Sequence, residues 1–467
     1  MRRLIPLLLF CLAAGVRLLV QQLSGYAVDD AFISFRYAEN IAAGNGFVYN
    51  LGERVLGTTT PLFTLIIAGC NHLGLGSLKS ALTISIASAS LTAVILYRWG
   101  GRIGLKKLAY LPALLYILFP RSVTADISGM ETALFTFLLL LSFYLLAQKK
   151  LLLAVTTASL AAITRPEGVI ALLAVVGVSL FLDRRQLIVR AIPVLLVLGN
   201  WLTFSYVYFG VLAPNSIAAK SALYHSHWNL GLGKSLQFVF GLSSPIGWIL
   251  LLFFLMGMFF RLREKHLLSL IGLFVVGYLV TLAAAQTHIF FWYPAPVYPL
   301  MFLIATVGIK DIWQRIPVLR SFRQDLIIVS LTALIAGAAF IGLNRRVDSL
   351  RWEMDCYERI HQQAGRYLVL HAKPEDKVIA EDIGHLGYIY RGTIIDRDGL
   401  ITPEAIPFNR SGNYKEFIDS VAADWLFIAT DLPTSRVILE ADDFEERYQV
   451  ALTLTAPGAN QYLLCRK

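Results

Sequence analysis

Apolar runs dominate the first three quarters of the chain and set its architecture. A helix needs roughly 20 predominantly apolar residues to cross the hydrocarbon core of a bilayer. Runs of that length, or slightly shorter, fall at 4–22, 78–98, 108–120, 131–148, 151–165, 168–183, 187–208, 245–260, 267–285, 294–309 and 326–343. The pattern predicts about eleven spans. Those at 108–120 and 151–165 are short and bounded by Pro120 and Pro166, so tilted or broken helices are expected there.

The run at 61–75 is different. Counting it as a span puts the Arg98, Arg102, Lys106 and Lys107 cluster outside and reverses the charge rule for the rest of the chain. As an interfacial or re-entrant helix it leaves every basic loop on the cytoplasmic side. The outward segments are then 23–77, 120–130, 165–167, 209–244 and 286–293, with everything after 343. The N-terminus (Met-Arg-Arg and an apolar run) mimics a signal peptide and is read as an uncleaved anchor.

After residue 343 the pattern changes. Residues 345–370 have the spacing of an amphipathic helix, and short β-like runs follow at 377–380, 393–396, 424–429, 448–454 and 461–465, separated by helical stretches and turns. The predicted fold class is a polytopic α-helical membrane protein, with interfacial helices in its first outward loop, followed by a small soluble α/β domain. The domains expected are a membrane domain at 1–343 and an outer-face α/β domain at 344–467, a viable single-domain size.

Composition agrees. The chain is 57% hydrophobic and 15% charged, far from the quarter charged of soluble domains. A net charge of +10 would suit nucleic acid, but the cations lie in short loops between apolar runs, which is topogenic placement. No nucleic-acid partner is expected; membrane lipids are. Cys356 and Cys465 fall in the polar region, and no spacing rule pairs them.

The polar groups that carry chemistry gather in the outward segments. Asp29-Asp30 leave the first span and open a helix that Gly44-Asn-Gly46 ends. One aspartate there serves as a helix cap; two adjacent ones suit a general base or a divalent-cation site. Glu53 and Arg54 sit in a polar turn before Thr58-Thr-Thr60-Pro61. Glu131 opens the span at 131–148, where it complements the helix dipole or contributes to a site. Arg165 and Glu167 share the hairpin tip Thr164-Arg-Pro-Glu-Gly168, as a local ion pair or as a phosphate clamp. Pro214-Asn215-Ser216 leads to Lys220, and His288 precedes the aromatic run Phe290–Tyr293, which an interfacial belt would also explain.

Together, Asp29-Asp30-Ala-Phe-Ile-Ser-Phe-Arg36-Tyr37-Ala, Asn50-x-Gly-Glu53-Arg54-Val, Gly129-Met-Glu131-Thr, Thr164-Arg165-Pro-Glu167-Gly and Pro214-Asn215-Ser resemble the GT-C superfamily of integral membrane glycosyltransferases. Within it the likeness is to the bacterial cell-envelope arabinofuranosyltransferase-like branch, over about residues 4–343. The resemblance implies a polyprenyl-phosphate monosaccharide donor and makes Asp29 the catalytic carboxylate, with Asp30 orienting it. Leu56 departs from the arabinofuranosyl pattern, in which an acidic or polar residue precedes the Gly-Thr segment.

The chemistry asks for the same groups. An acceptor hydroxyl needs a base, and a departing phosphate needs cations. We expect Asp29 and Asp30 as catalytic residues, with Arg165, Lys220 and His288 around the donor phosphate. Glu131, Glu53, Arg54, Glu167 and Asn215 are further site candidates, and Arg36, Arg121 and Lys234 are the remaining outward cations. The cofactor is open; a divalent cation would use Asp29 and Asp30. The acceptor is a glycan, lipid or protein of the cell envelope, and the site faces outward from the inner membrane. A transporter or flippase of lipid-linked sugars is the alternative; it predicts ionisable residues near the midplane and paired halves, and neither is visible.

Overall fold

A computed structural model describes residues 4–223, 228–242, 245–263, 267–285, 288–315, 324–421, 423–430, 433–441, 443–455 and 461–466. The chain divides into two compact units. One comprises 1–23, 82–201 and 226–348, and the other 24–81, 202–225 and 349–467.

The first unit is helical. Across the described chain, the helices long and apolar enough to cross a membrane are Ile5–Ser24, Ser77–Arg102, Leu187–Phe209, Leu267–Ala284 and Ala295–Arg315. Lys106–Leu118 and Pro120–Ile127 are together long and apolar enough for a broken span or a re-entrant loop, bent by 58° at the break expected at Pro120. The runs at 131–148, 151–165, 168–183 and 245–260 are shorter apolar helices, Thr132–Ala147, Leu151–Ala162, Gly168–Leu182 and Ile246–Arg261. The last apolar run, 326–343, lies within the helix Gln324–Glu353. Helix Tyr298–Arg315 is the centre of the unit's core, with Leu300, Met301, Phe302, Leu303 and Ile304 buried. It packs on Pro245–Arg263 at Gly257 and Gly308, where a Cβ would collide with the backbone of Ile304 and Phe253. Small residues let helix backbones approach this closely.

The break at Pro120 is sealed by a residue that the hydropathy pattern hides. Arg17, wholly buried in the first span, bonds Asp126 at 2.8 and 3.0 Å and donates to the Ile117 and Tyr116 carbonyls. Backbone polar groups freed by a helix break need such partners in an apolar setting.

In the second unit, the α/β fold appears with all five expected strands: β1 Lys377–Ala380, β2 Thr393–Asp396, β3 Trp425–Ala429, β4 Gln449–Thr455 and β5 Gln461–Arg466. The sheet order is β2-β1-β3-β5-β4, with β2, β1 and β3 parallel and β5 and β4 antiparallel. β3 is buried throughout, as a strand covered on both faces should be. The amphipathic stretch expected at 345–370 is the end of helix Gln324–Glu353, a wider turn at 354–358, and helix Arg359–His371. The first-loop segments belong to this unit. Helices Asp29–Ala42 and Pro61–His72 pack together, and Asp29–Ala42 also packs on the short helix Gly384–Tyr390. Cys356 and Cys465 are both buried free thiols.

Candidate functional site

The site is built around helix Asp29–Ala42. Arg36, 2% exposed, is its clamp. The guanidinium donates to the carbonyls of Tyr49 (2.9 Å), Gly387 (2.7 Å) and Gly392 (2.7 Å) and to Asn50 Oδ1 (3.2 Å), and lies 4.1 Å from the Tyr49 ring centroid. It is fully engaged in holding the helix. Asn50 continues the clamp by accepting from Ile394 N–H and donating to the Ile394 carbonyl.

So held, the helix presents Asp29 to the N–H groups of Gly384 and His385, at 2.7 and 2.6 Å, one on each carboxylate oxygen. Gly384 is required there, because a Cβ would strike Asp29. Around Asp29 stand Glu358, His361, Asp382 and His385. His385 Nε2 lies 3.1 Å from Glu358 Oε2. His361 Nε2 lies 3.5 Å from Asp382 Oδ2, which also accepts from Tyr357. Asp29, Glu358, His361 and His385 are all buried, whereas the Asp382 side chain is 38% exposed.

Burial pushes Asp29 up to about 7, against the pull of His361 and with a further push from Glu358. Burial likewise raises Glu358 to about 8. Burial alone would lower His361, but Asp382 and Asp29 bring it to about 9. His385 is lowered by burial. Asp382 falls below its usual range because His361 and Tyr357 outweigh its desolvation. The cluster therefore holds an ion pair, His361 with Asp382, beside two carboxyls poised near neutrality.

A pH dependence follows. Asp29, Glu358 and His361 titrate higher in the fold than in the unfolded chain, so the stability each contributes is lost as pH rises through about 7, 8 and 9. The opposite contributions of Asp382 and His385 are complete above their ordinary values of 3.8 and 6.5. With chelator present, the unfolding midpoint of the second unit is expected to fall from pH 6.5 to 9; a midpoint that rises over that range would contradict the assignment.

Asp30 occupies the more open side. Its side chain is 33% exposed and lies 3.7 Å from Lys220 Nζ. Asp398 sits within the field of both. Asp382 and Asp398 leave the carboxyl ends of the adjacent parallel strands β1 and β2, where α/β sheets usually bind ligands. Asn215 anchors the Lys220 helix, its N–H donating to the Leu56 carbonyl at 3.0 Å. Glu53 and Arg54 are exposed; Glu53 accepts from Asn50, and Arg54 lies over the Tyr208 ring.

Thus Asp29, Asp30, Lys220, Asn215, Glu53 and Arg54 share one unit, while Glu131, Arg165, Glu167 and His288 lie in the other. In that unit Arg165 is 3% exposed, 3.2 Å from Glu131 and 2.9 Å from Glu167, with Phe135 and Tyr293 against its plane. A phosphate approaching Arg165 would meet Glu131 and Glu167 already paired with it. His288 is half-buried against Phe290. Arg121 is also engaged, donating to the carbonyls of Gln237 and Phe238.

Sequence reasoning missed Glu358, His361, Asp382 and His385. Their signal was present as Glu358-x-x-His361 and Asp382-x-x-His385, acid and imidazole three residues apart. Asp382 precedes the helix of His385, and the pairs form between the two segments, Glu358 with His385 and His361 with Asp382, so the spacing alone does not reveal them.

Comparisons with known proteins bear on the fold and on the site. Residues 350–464 match a family described as a domain of unknown function (DUF8728). A terminal β-(1→2)-arabinofuranosyltransferase of Mycobacterium tuberculosis is 28% identical over 266 residues. The match takes in 48% of this chain and only 41% of that protein. ArnT from Cupriavidus metallidurans bound to undecaprenyl phosphate superposes with a TM-score of 0.63 at 12% identity, covering 98% of this chain and 97% of its own. The oligosaccharyltransferase of Archaeoglobus fulgidus superposes with a TM-score of 0.53 at 12% identity, over 91% of this chain and 70% of its own.

Proposed function

We propose that this chain, a multi-pass membrane protein with the fold of the GT-C glycosyltransferases, transfers a monosaccharide from a polyprenyl-phosphate donor to a hydroxyl of a cell-envelope glycan, lipid or protein. The observation that carries the reading is Asp29-Asp30 with Lys220 beside Asp30, in a fold whose relatives include an arabinofuranosyltransferase and a protein seen with undecaprenyl phosphate. Those relatives favour transfer over transport of the lipid-linked sugar.

The reaction is a single displacement. The acceptor oxygen attacks the anomeric carbon, the bond from that carbon to the phosphate oxygen breaks, and the acceptor proton passes to Asp29. The polyprenyl phosphate leaves with the electron pair. Burial raises the Asp29 carboxyl to about 7, close to the working pH that general-base catalysis favours. Each of its oxygens accepts one backbone N–H and keeps a second lone pair. Lys220 compensates the departing phosphate, and Asp30 sets the Lys220 ammonium in place. With the basic loops cytoplasmic, this chemistry occurs on the outer face of the cell membrane.

Lys220→Ala separates donor from acceptor. Binding of a polyprenyl-phosphate analogue should weaken about tenfold or more, the scale of one lost charge-assisted contact, with the acceptor KM little changed. Equal donor affinity in Lys220→Ala and the parent would remove Lys220 from the donor site.

A further inference from the structure

Three buried side chains of the second unit point their ligand atoms at one place. A carboxylate oxygen of Asp29, one of Glu358 and an imidazole nitrogen of His385 all lie within 4.8 Å of one another. Each residue is 3–5% exposed. Glu358 Oε2 and His385 Nε2 face each other at 3.1 Å, yet neither makes an aligned hydrogen bond among the described residues. Buried polar atoms are rarely left this way, because a buried group without its hydrogen bond has lost its water and gained nothing in return.

Their other atoms are all used. The Asp29 oxygens take the Gly384 and His385 N–H groups, the Glu358 carboxylate takes the Asp29 N–H, and the His385 ring bonds the Ala27 carbonyl. Phe32 packs against the His385 ring at 3.8 Å between centroids and fixes its plane. Metal-ligating groups are held in this manner, with an outer hydrogen bond setting the tautomer and leaving a lone pair toward the ion.

We infer that Asp29, Glu358 and His385 bind a divalent transition-metal ion of the Mn²⁺ or Zn²⁺ class. Two carboxylates and one imidazole match that class, in which nitrogen and oxygen ligands mix. Two ligands come from segments that the family resemblance does not cover. The ion would cancel the repulsion between Asp29 and Glu358 and fasten the Asp29 helix to 354–358 and 384–390. One Asp29 oxygen would remain for the acceptor proton, so the inference rests on the transferase reading for its catalytic meaning and on the cluster alone for the binding.

The test is binding of the metal itself to the purified, untagged full chain. After chelator treatment and dialysis, Mn²⁺ followed by electron paramagnetic resonance and Zn²⁺ followed by indicator competition should each saturate at about one ion per chain. Loss of an outer partner typically costs 10–100-fold in metal affinity, so Glu358→Gln and His385→Gln, which remove direct ligands, should lose about a hundredfold or more. Should either variant fail to fold, the parent alone decides, since its unfolding midpoint must rise on adding Mn²⁺ or Zn²⁺. An unmoved midpoint, absence of saturable binding, or unchanged affinity in folded Glu358→Gln and His385→Gln would each overturn the site. These readouts need no sugar transfer, so their failure leaves the transferase proposal standing, and inactivity leaves the metal site standing.

Discussion

Asp29→Asn is expected to lower sugar transfer by roughly a hundredfold or more, the scale on which a positioned general base contributes. The substitution keeps the size of the side chain and removes its charge. It also replaces one oxygen with an NH₂ group, which must face the N–H of either Gly384 or His385. One buried donor then loses its acceptor, at about 1–3 kcal/mol. A moderate fall in unfolding midpoint should therefore accompany the loss of turnover, and saturating substrate should restore neither. Asp30→Asn, at a position one-third exposed, should fold normally and act through the Lys220 contact, raising the donor KM more than it lowers turnover. Folded Asp29→Asn with turnover near that of the parent would remove Asp29 from the reaction.

Arg36→Met should cost more stability than any other single change at the site. Methionine fills similar volume but leaves the carbonyls of Tyr49, Gly387 and Gly392 and the Asn50 amide oxygen without the guanidinium. Leaving one buried acceptor without its donor costs about 1–3 kcal/mol, and here several lose theirs together. Since Arg36 joins helix Asp29–Ala42 to segments 384–392, the expected result is early unfolding of the second unit and faster proteolysis within 349–467. An unfolding midpoint within a degree or two of the parent would show that the clamp is dispensable.

Arg36 also shows how far the sequence could be read. Its place in Asp29-Asp30-Ala-Phe-Ile-Ser-Phe-Arg36-Tyr37 was visible, and its role was not: two of its acceptors, Gly387 and Gly392, lie more than 350 residues along the chain. The strands at 377–380 and 393–396 were legible because apolar β-branched runs between turn residues have few other readings. The bend at Pro120 was legible from proline chemistry. Arg17 was hidden, since one arginine barely changes the hydropathy of a long apolar run, and its partner Asp126 is 109 residues away.

Asp29 stood out by its adjacency to Asp30, yet its neighbours Glu358 and His385 could not be assigned to it by spacing. Such contacts are set by how the first loop and the last domain pack, and hydrophobic periodicity does not encode that packing. Arg165 illustrates the converse. Its place at a Pro-stiffened tip beside Glu167 suggested an ion pair or a phosphate clamp, and its pairing with Glu131, 34 residues away, was not legible.

The most direct measurement of the central claim follows the lipid product. Purified full-length protein in vesicles is supplied with a polyprenyl-phosphate monosaccharide, labelled in both sugar and lipid, and with cell-envelope acceptors. The account predicts release of free polyprenyl phosphate in step with the appearance of the sugar on the acceptor, both lost together in Asp29→Asn. Movement of the intact lipid-linked sugar between leaflets, with no cleavage of the bond between sugar and phosphate, would contradict it.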